Sequence, residues 1–139
     1  MPKLLLIDDD EEEYELLSTA FREVMAGGTV LYANGCKNII ETITEFKPDI
    51  VFLDINMPTV DGIDCLKKIR EHKDYQELPV VMYSTSNNKQ SVQDSFDNKA
   101  NLYVVKSYSY QGLLAILEKV LKINWELQKP KQISDFVLA

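Results

Sequence analysis

One apolar run, Ile50-Val51-Phe52-Leu53, closed by Asp54, constrains this chain more than any other stretch. Apolar residues without alternation describe a strand buried on both faces, the kind found in a parallel sheet covered by helices. Asp54 then stands at the carboxyl edge of that strand, where open α/β sheets place their ligands. Pro58 stiffens the loop that follows and disfavours the helical region at Met57. Asp61-Gly62 is a turn signal, and a helical pattern begins after it.

The same unit repeats along the chain. Lys3 to Ile7, Thr29 to Tyr32, Val80 to Tyr83 and Leu102 to Val105 read as four further strands. Apolar residues at spacings of three and four mark helices through Tyr14–Val24, Ile39–Phe46, Ile63 to about Lys73, and Leu113–Leu121. Gly27-Gly28 and Lys47-Pro48 are stop signals for the first two. Asn87 to Asn98 carries only Val92 and Phe96 as apolar anchors and predicts a helix with a thin buried stripe. Five strands alternating with five helices predict a doubly wound parallel sheet with right-handed crossovers. Residues 1–123 are expected to form one unit, and 124–139 a C-terminal extension with no separate effector domain.

Charge narrows the function. With 15 basic and 22 acidic residues the net charge is −7, which argues against nucleic acid as a ligand. No leader pattern opens the chain and no apolar run is long enough to span a bilayer, so a cytoplasmic location is expected, away from membrane. Cys36 and Cys65 have no partner motif and read as two buried or half-buried thiols in a reducing compartment. His72 is the only histidine, which disfavours a zinc site.

The chemistry is concentrated at the strand ends. The first strand ends in Asp8 and Asp9, the third in Asp54 with Asn56 beyond it, the fourth in Ser84 and the fifth in Lys106. All lie on one edge of a parallel sheet and can converge. Crowded carboxylates need a cation, and hard oxygen ligands with room for water describe magnesium. A carboxylate beside such an ion is a plausible phosphoryl acceptor, with a lysine and a hydroxyl to meet the phosphoryl oxygens. Taken singly, Lys106 reads as a solvated lysine and Ser84 as a turn-capping hydroxyl; their joint placement carries the signal.

These marks, LLLIDDD, DINMPTVDG, the hydroxyl of VVMYSTS, and YVVK, resemble a response-regulator receiver domain over about Lys3 to Ile123. Ser84 and Lys106 follow Asp54 at the family's usual intervals of 30 and 52 residues. The resemblance implies a flavodoxin-like sheet of order 2-1-3-4-5. It implies that Asp54 accepts a phosphoryl group from a sensor histidine kinase or a histidine phosphotransfer protein. It implies that Asp9, Asp54 and the Asn56 carbonyl ligate Mg2+ directly, with Asp8 assisting through water. Ser84 and Lys106 would bind phosphoryl oxygens, and Tyr103 falls at the aromatic switch position. Read without the resemblance, Tyr103 is a half-buried strand aromatic with its hydroxyl in water.

Three departures from the family pattern bear on the site. Ser107 replaces the usual proline after the lysine. A cis bond there would cost about 3–4 kcal/mol, and a trans bond would alter the aim of Lys106. Ser84 stands where threonine is commoner and is freer about χ1. Lys99-Ala100-Asn101 replaces a common Gly-Ala, and Asn101 is expected in the left-handed conformation.

Output in this family usually comes from the face of helix 4, strand 5 and helix 5. Here that face would include Asn88 to Phe96, Tyr103, Tyr108 and Tyr110, for a downstream protein target or self-association. LKINWELQKP resembles the tail of phytochrome-associated single-domain regulators, where an extension aids dimer formation; alternatively Trp125, Leu127, Phe136 and Val137 fold back on the domain, or the tail is disordered. Two rival functions remain. A haloacid-dehalogenase-type phosphatase would use Asp8 as nucleophile in a D-x-D pair with Asp10, although Glu12 occupies the Thr/Val position of that motif. A pseudo-receiver would bind partners without phosphorylation.

Overall fold

The computed structural model describes residues 2–57, 61–107, 109–125 and 133–138. Strands and helices alternate in the order β1 (Lys3–Asp8), α1 (Glu11–Val24), β2 (Thr29–Asn34), α2 (Ile39–Phe46), β3 (Ile50–Leu53), α3 (Gly62–Glu71), β4 (Val80–Ser84), α4 (Lys89–Asp97), β5 (Leu102–Val105) and α5 (Tyr110–Leu121). A single turn of helix, α6 (Ile133–Phe136), and a two-residue strand, β6 (Val137–Leu138), follow. The sheet runs β2-β1-β3-β4-β5-β6, all neighbours parallel. The expected flavodoxin-like order 2-1-3-4-5 is therefore present, with a sixth strand added at its edge. The bend at Pro58, the aromatic at Tyr108 and the apolar Leu127 lie outside the described residues.

The unalternating strands are explained by two cores. Leu5, Ile7, Val51, Leu53, Val80 and Met82 face α2, α3 and α4. Leu4, Leu6, Ile50, Phe52, Val81 and Tyr83 face α1 and α5. Adjacent residues of one strand thus enter opposite cores, and none can be polar. All four residues of β3 are buried. Full burial of side chains of this kind contributes about 1.5–3 kcal/mol each.

Four of the helices start where short polar side chains hold free amides. Asp10, Asp61, Asn88 and Ser109 cap α1, α3, α4 and α5, accepting from the N–H groups of Glu12, Ile63, Ser91 and Gly112 respectively. α3 stops at Glu71, earlier than the periodicity suggests. His72 turns extended there and its Nδ1 accepts from the Asp74 amide at 3.2 Å, opening a 3-10 turn over Lys73–Tyr75.

Two local expectations are corrected. Asn101 is not the left-handed residue; Lys99 is, at φ 68°. The Asn101 side chain instead accepts from the Val80 amide at 2.9 Å and from Arg70 Nη2 at 2.8 Å, tying the start of β4 to that of β5. Cys36 and Cys65 are not separate thiols. They form a disulfide with Cα atoms 6.0 Å apart, joining the segment before α2 to the second turn of α3. One lies in the segment before α2 and the other in α3, with no shared motif, so only the packing of that face brings them together.

Arg70 is the hub of the lower rim. Its guanidinium also donates to the carbonyls of Lys99 (3.0 Å), Tyr75 (2.7 Å) and Leu78 (2.8 Å). Burial lowers its pKa to about 10, with Glu77 opposing the shift, so it remains charged. Among the described residues no helix is long and apolar enough to cross a membrane.

Replacing Arg70 by Met keeps the apolar stem and orphans these acceptors. The unfolding free energy from urea titration is expected to fall by about 2–3 kcal/mol; a change within error would show that water takes over the carbonyls. For the Cys36–Cys65 pair, alkylation of the denatured protein is expected to label neither cysteine until a reductant is added. Labelling of both without reductant would mean two thiols.

Candidate functional site

β1 and β3 are direct neighbours, and their ends carry the acids. The register pairs Ile7 with Leu53, and the Asp54 amide donates to the Ile7 carbonyl at 2.9 Å. The backbone ladder therefore sets the two acid-bearing ends side by side. Carboxylate oxygens of Asp8, Asp9 and Asp54 all lie within 4.8 Å of one another. Asp8 is 1% and Asp54 6% exposed, whereas Asp9 is exposed. The burial of the first two means that water cannot fully screen their repulsion.

Each acid has a defined setting. Asp8 Oδ1 accepts from the Asp10 amide at 3.0 Å and Oδ2 from Lys106 Nζ at 3.2 Å. Asp54 receives the backbone N–H of Asn56. Asn56 and Asp61 form an isolated bridge that closes the loop, and the Gly62 amide donates to the Ile55 carbonyl at 2.8 Å. Gly62 is needed there because a Cβ would lie 2.1 Å from the Asp54 carbonyl oxygen and 2.6 Å from Ile55 Cα. Close approach of α3 to the acceptor strand thus demands a residue without a side chain.

Ser84 and Lys106 come from the next two strand ends. The Lys106 amide donates to the Ser84 carbonyl at 2.8 Å, placing both on the same edge. Ser84 is 1% exposed, and its Oγ accepts from the Ser86 amide at 3.2 Å. The Lys106–Ser107 bond is trans. Lys106 pairs with Asp8 at 3.2 Å and with Glu13 at 3.5 Å, and its ammonium lies 5.0 Å from the centre of the Tyr83 ring. Burial pulls the lysine's pKa down, but Asp8, Asp54 and Glu13 outweigh it and leave it raised.

Glu13 was not among the residues singled out from sequence. Its signal was legible all the same, three positions after the capping Asp10 in the first turn of α1. Asp10, by contrast, turns its carboxylate to the Glu12 amide at 2.9 Å. Asp8 and Asp10 therefore do not act as a D-x-D pair on one site, and the geometry gives the phosphatase reading no support.

Tyr103 is wholly buried, not half-buried with a wet hydroxyl. Its O–H donates to the Ser86 carbonyl. Burial raises its pKa and the Asp54 charge adds to that, against a lowering contribution from Ser84. The site thus joins an acidic cluster of hard oxygen donors, a half-buried lysine, a hydroxyl and a loop held by a buried tyrosine. Such a donor set fits a small divalent cation, and the arrangement can balance a doubly charged oxyanion on Asp54.

A family model described as the response regulator receiver domain matches residues 4–118. The chain is 28% identical over 122 residues to Regulatory protein AtoC of Escherichia coli K12, covering 88% of this chain and 26% of that protein. It is 26% identical over 122 residues to Chemotaxis protein CheY1 of Helicobacter pylori, covering 88% of this chain and 98% of that protein. The crystal structure of the phosphorylated cyanobacterial phytochrome response regulator RcpA superposes with a TM-score of 0.76 at 25% identity, covering 86% of this chain and 90% of that one. The chain spans 26% to 58% of the length of several curated relatives that it matches, and nearly all of others.

Burial, reinforced by Asp8 and Asp9, raises the Asp54 pKa to about 6 from 3.8, against the lowering influence of Lys106 and the Asn56 amide. Carboxyl NMR of the metal-free protein is expected to place the Asp54 midpoint near that value. The folded state then holds the proton more tightly than the unfolded chain. Stability therefore falls as pH rises between the two values, and the loss persists above them. Asp54→Asn is expected to remove this slope and to be more stable at pH 7 by up to about 3 kcal/mol. An ordinary midpoint with an unchanged slope would refute the desolvation of Asp54.

Proposed function

The chain belongs to the response regulator receiver domain family, the phosphoacceptor module of two-component signalling, and on that premise we propose that Asp54 is its phosphoacceptor and that phosphorylation switches partner binding. The observation that carries the reading is the convergence of Asp8, Asp9 and Asp54 within 4.8 Å, at the edge where Ser84 and Lys106 also end their strands. Residues 1–123 act as the receiver unit, and 124–139 as its extension.

The residues divide the work. An Asp54 carboxylate oxygen attacks the phosphorus of a phosphohistidine on a sensor kinase or phosphotransfer protein. The new P–O bond forms as the P–N bond breaks, and the imidazole leaves with the electron pair. Asp9, Asp54 and the Asn56 carbonyl are the proposed direct holders of Mg2+, with Asp8 acting through water. When bound, the ion offsets the acids' repulsion and neutralises charge on the phosphoryl oxygens. Lys106 moves its charge from Asp8 and Glu13 toward the phosphoryl group, and the Ser84 hydroxyl donates to one of its oxygens. Hydrolysis of the acyl phosphate by water returns the carboxylate. The protein thus performs phosphotransfer only on itself and turns over no separate substrate.

Tyr103 transmits the change, because its hydroxyl holds the loop two residues beyond Ser84. The proposed readers of that change are a downstream protein or a second copy, through α4, β5 and α5. The net charge of −7 favours a protein partner over nucleic acid, and the proposed setting is the cytoplasm.

Intact-mass measurement after incubation with Mg2+ and acetyl phosphate tests the reading. One labile phosphoryl adduct, mapped to Asp54, is expected in the wild type, and labelling at background in Asp54→Asn. An adduct at Asp8 would favour the phosphatase chemistry, and no adduct with no Mg2+ binding would favour the pseudo-receiver.

A further inference from the structure

The C-terminal segment is docked onto the element that carries Tyr103. β6 runs parallel to β5, with Val137 opposite Tyr103 and Leu138 opposite Val104. Phe136 is wholly buried. Its ring meets Phe96 of α4 edge-on at 5.4 Å and the Tyr103 ring at 6.3 Å. Phe136 therefore closes the space between α4 and β5 and packs against the buried Tyr103 ring. That ring is anchored at its other end by the hydroxyl bond to the Ser86 carbonyl. The Ser86 amide in turn donates to Ser84 Oγ. A contiguous path runs from Phe136 through Tyr103 and Ser86 to the hydroxyl proposed to meet the phosphoryl group.

We propose that residues 133–138 form a built-in latch that docks on β5 of its own chain and holds Tyr103 in the buried position, so that latch docking and phosphoryl binding at Asp54 reinforce one another. The proposal rests on the phosphoacceptor reading. Its physical basis is that the latch distinguishes two states of one ring. With Tyr103 inside, Phe136 has an aromatic surface to cover and β6 has an ordered strand to pair with. With Tyr103 turned outward, Phe136 loses that neighbour and the Ser86 carbonyl loses its donor. A segment that binds one state better must shift the equilibrium toward it, and coupling of this kind is reciprocal. Ser84 ends the strand that leads into the loop Tyr103 holds, and its Oγ accepts from the Ser86 amide, so whatever favours the inward ring also favours the position Ser84 has with it.

The test is a titration of the full-length protein with beryllofluoride, a phosphoryl mimic, in the presence of Mg2+, followed by amide hydrogen exchange. In the wild type, exchange is expected to slow in 133–138 and in Leu102–Val105 as the mimic binds. Phe136→Ala should need at least about five-fold more mimic for half-saturation, the lower end of ordinary allosteric coupling. Phe136→Leu, which keeps most of the apolar volume, should lie close to wild type. A lower melting temperature for Phe136→Ala with unchanged half-saturation would reduce the segment to packing and overturn the proposal. So would slowed exchange around Ser84 with no change in 133–138, which leaves the phosphoacceptor reading standing. A dimer on gel filtration that Phe136→Ala abolishes would assign the docking to a second copy, against docking in cis. No response of the wild type to the mimic would overturn the phosphoacceptor reading itself, and the latch coupling with it.

Discussion

Three carboxylates that repel one another are held together at one sheet edge. With oxygens of Asp8, Asp9 and Asp54 within 4.8 Å, each like-charged pair would cost roughly 3 kcal/mol or more at an effective dielectric of about 20. Free side chains on a loop would move apart. Here they cannot, because Asp8 ends a buried strand paired on both sides, and Asp54 directly follows the wholly buried strand beside it. The ladder between β1 and β3, the Asp54 amide on the Ile7 carbonyl, and the close seat of Gly62 hold the backbone beneath the charges. The apolar strands are therefore what make the acidic cluster possible. Burial, with Asp8 and Asp9 adding to it, raises the Asp54 pKa in the folded state even against Lys106.

Lys106 is the half-buried counter-charge, and its partners matter as much as its position. It divides its contacts between Asp8 and Glu13 while its ammonium lies over the Tyr83 ring. Without proline at position 107 the backbone keeps a trans bond, and the lysine still reaches the acidic edge. The departure from the family pattern is thus accommodated. The same strand end donates its amide to Ser84, so the hydroxyl and the ammonium are spaced by one hydrogen bond of the sheet rather than by two flexible loops.

The helix-covered faces show a different economy. α4 has a polar sequence, with Val92 and Ser95 as its buried residues. Its Phe96 gains cover from Phe136, far along the chain. On the same side, the Cys36–Cys65 bridge joins two elements around α2 and α3, and Arg70 ties α3 to the starts of β4 and β5. That half of the molecule has helices with fewer apolar residues than the half built on α1 and α5, and it is held by cross-links, polar hubs and the returning C-terminal segment. Most of the proposed signalling parts lie there.

Much of this was legible in the sequence, for reasons of local physics. Period and punctuation locate five strands and five helices, since burial on two faces forbids polar residues in a strand and caps must be short and polar. The acids, the hydroxyl and the lysine were found because a parallel sheet brings the carboxyl ends of its strands to one edge. Glu13 was missed although its place in the first turn of α1 was readable. What the sequence could not decide were facts that need two distant segments in one frame. The side chain of Asn101 bridges two strands while Lys99 takes the left-handed turn. Two cysteines without a motif become a disulfide. Tyr103 is wholly buried, and Phe136, more than thirty residues later, returns to pack beside its ring. Periodicity reports which face of an element is apolar, and composition reports what chemistry it can carry. Only the packed structure determines which distant residue completes that face, because that choice rests on complementarity between surfaces that do not exist until the chain has folded.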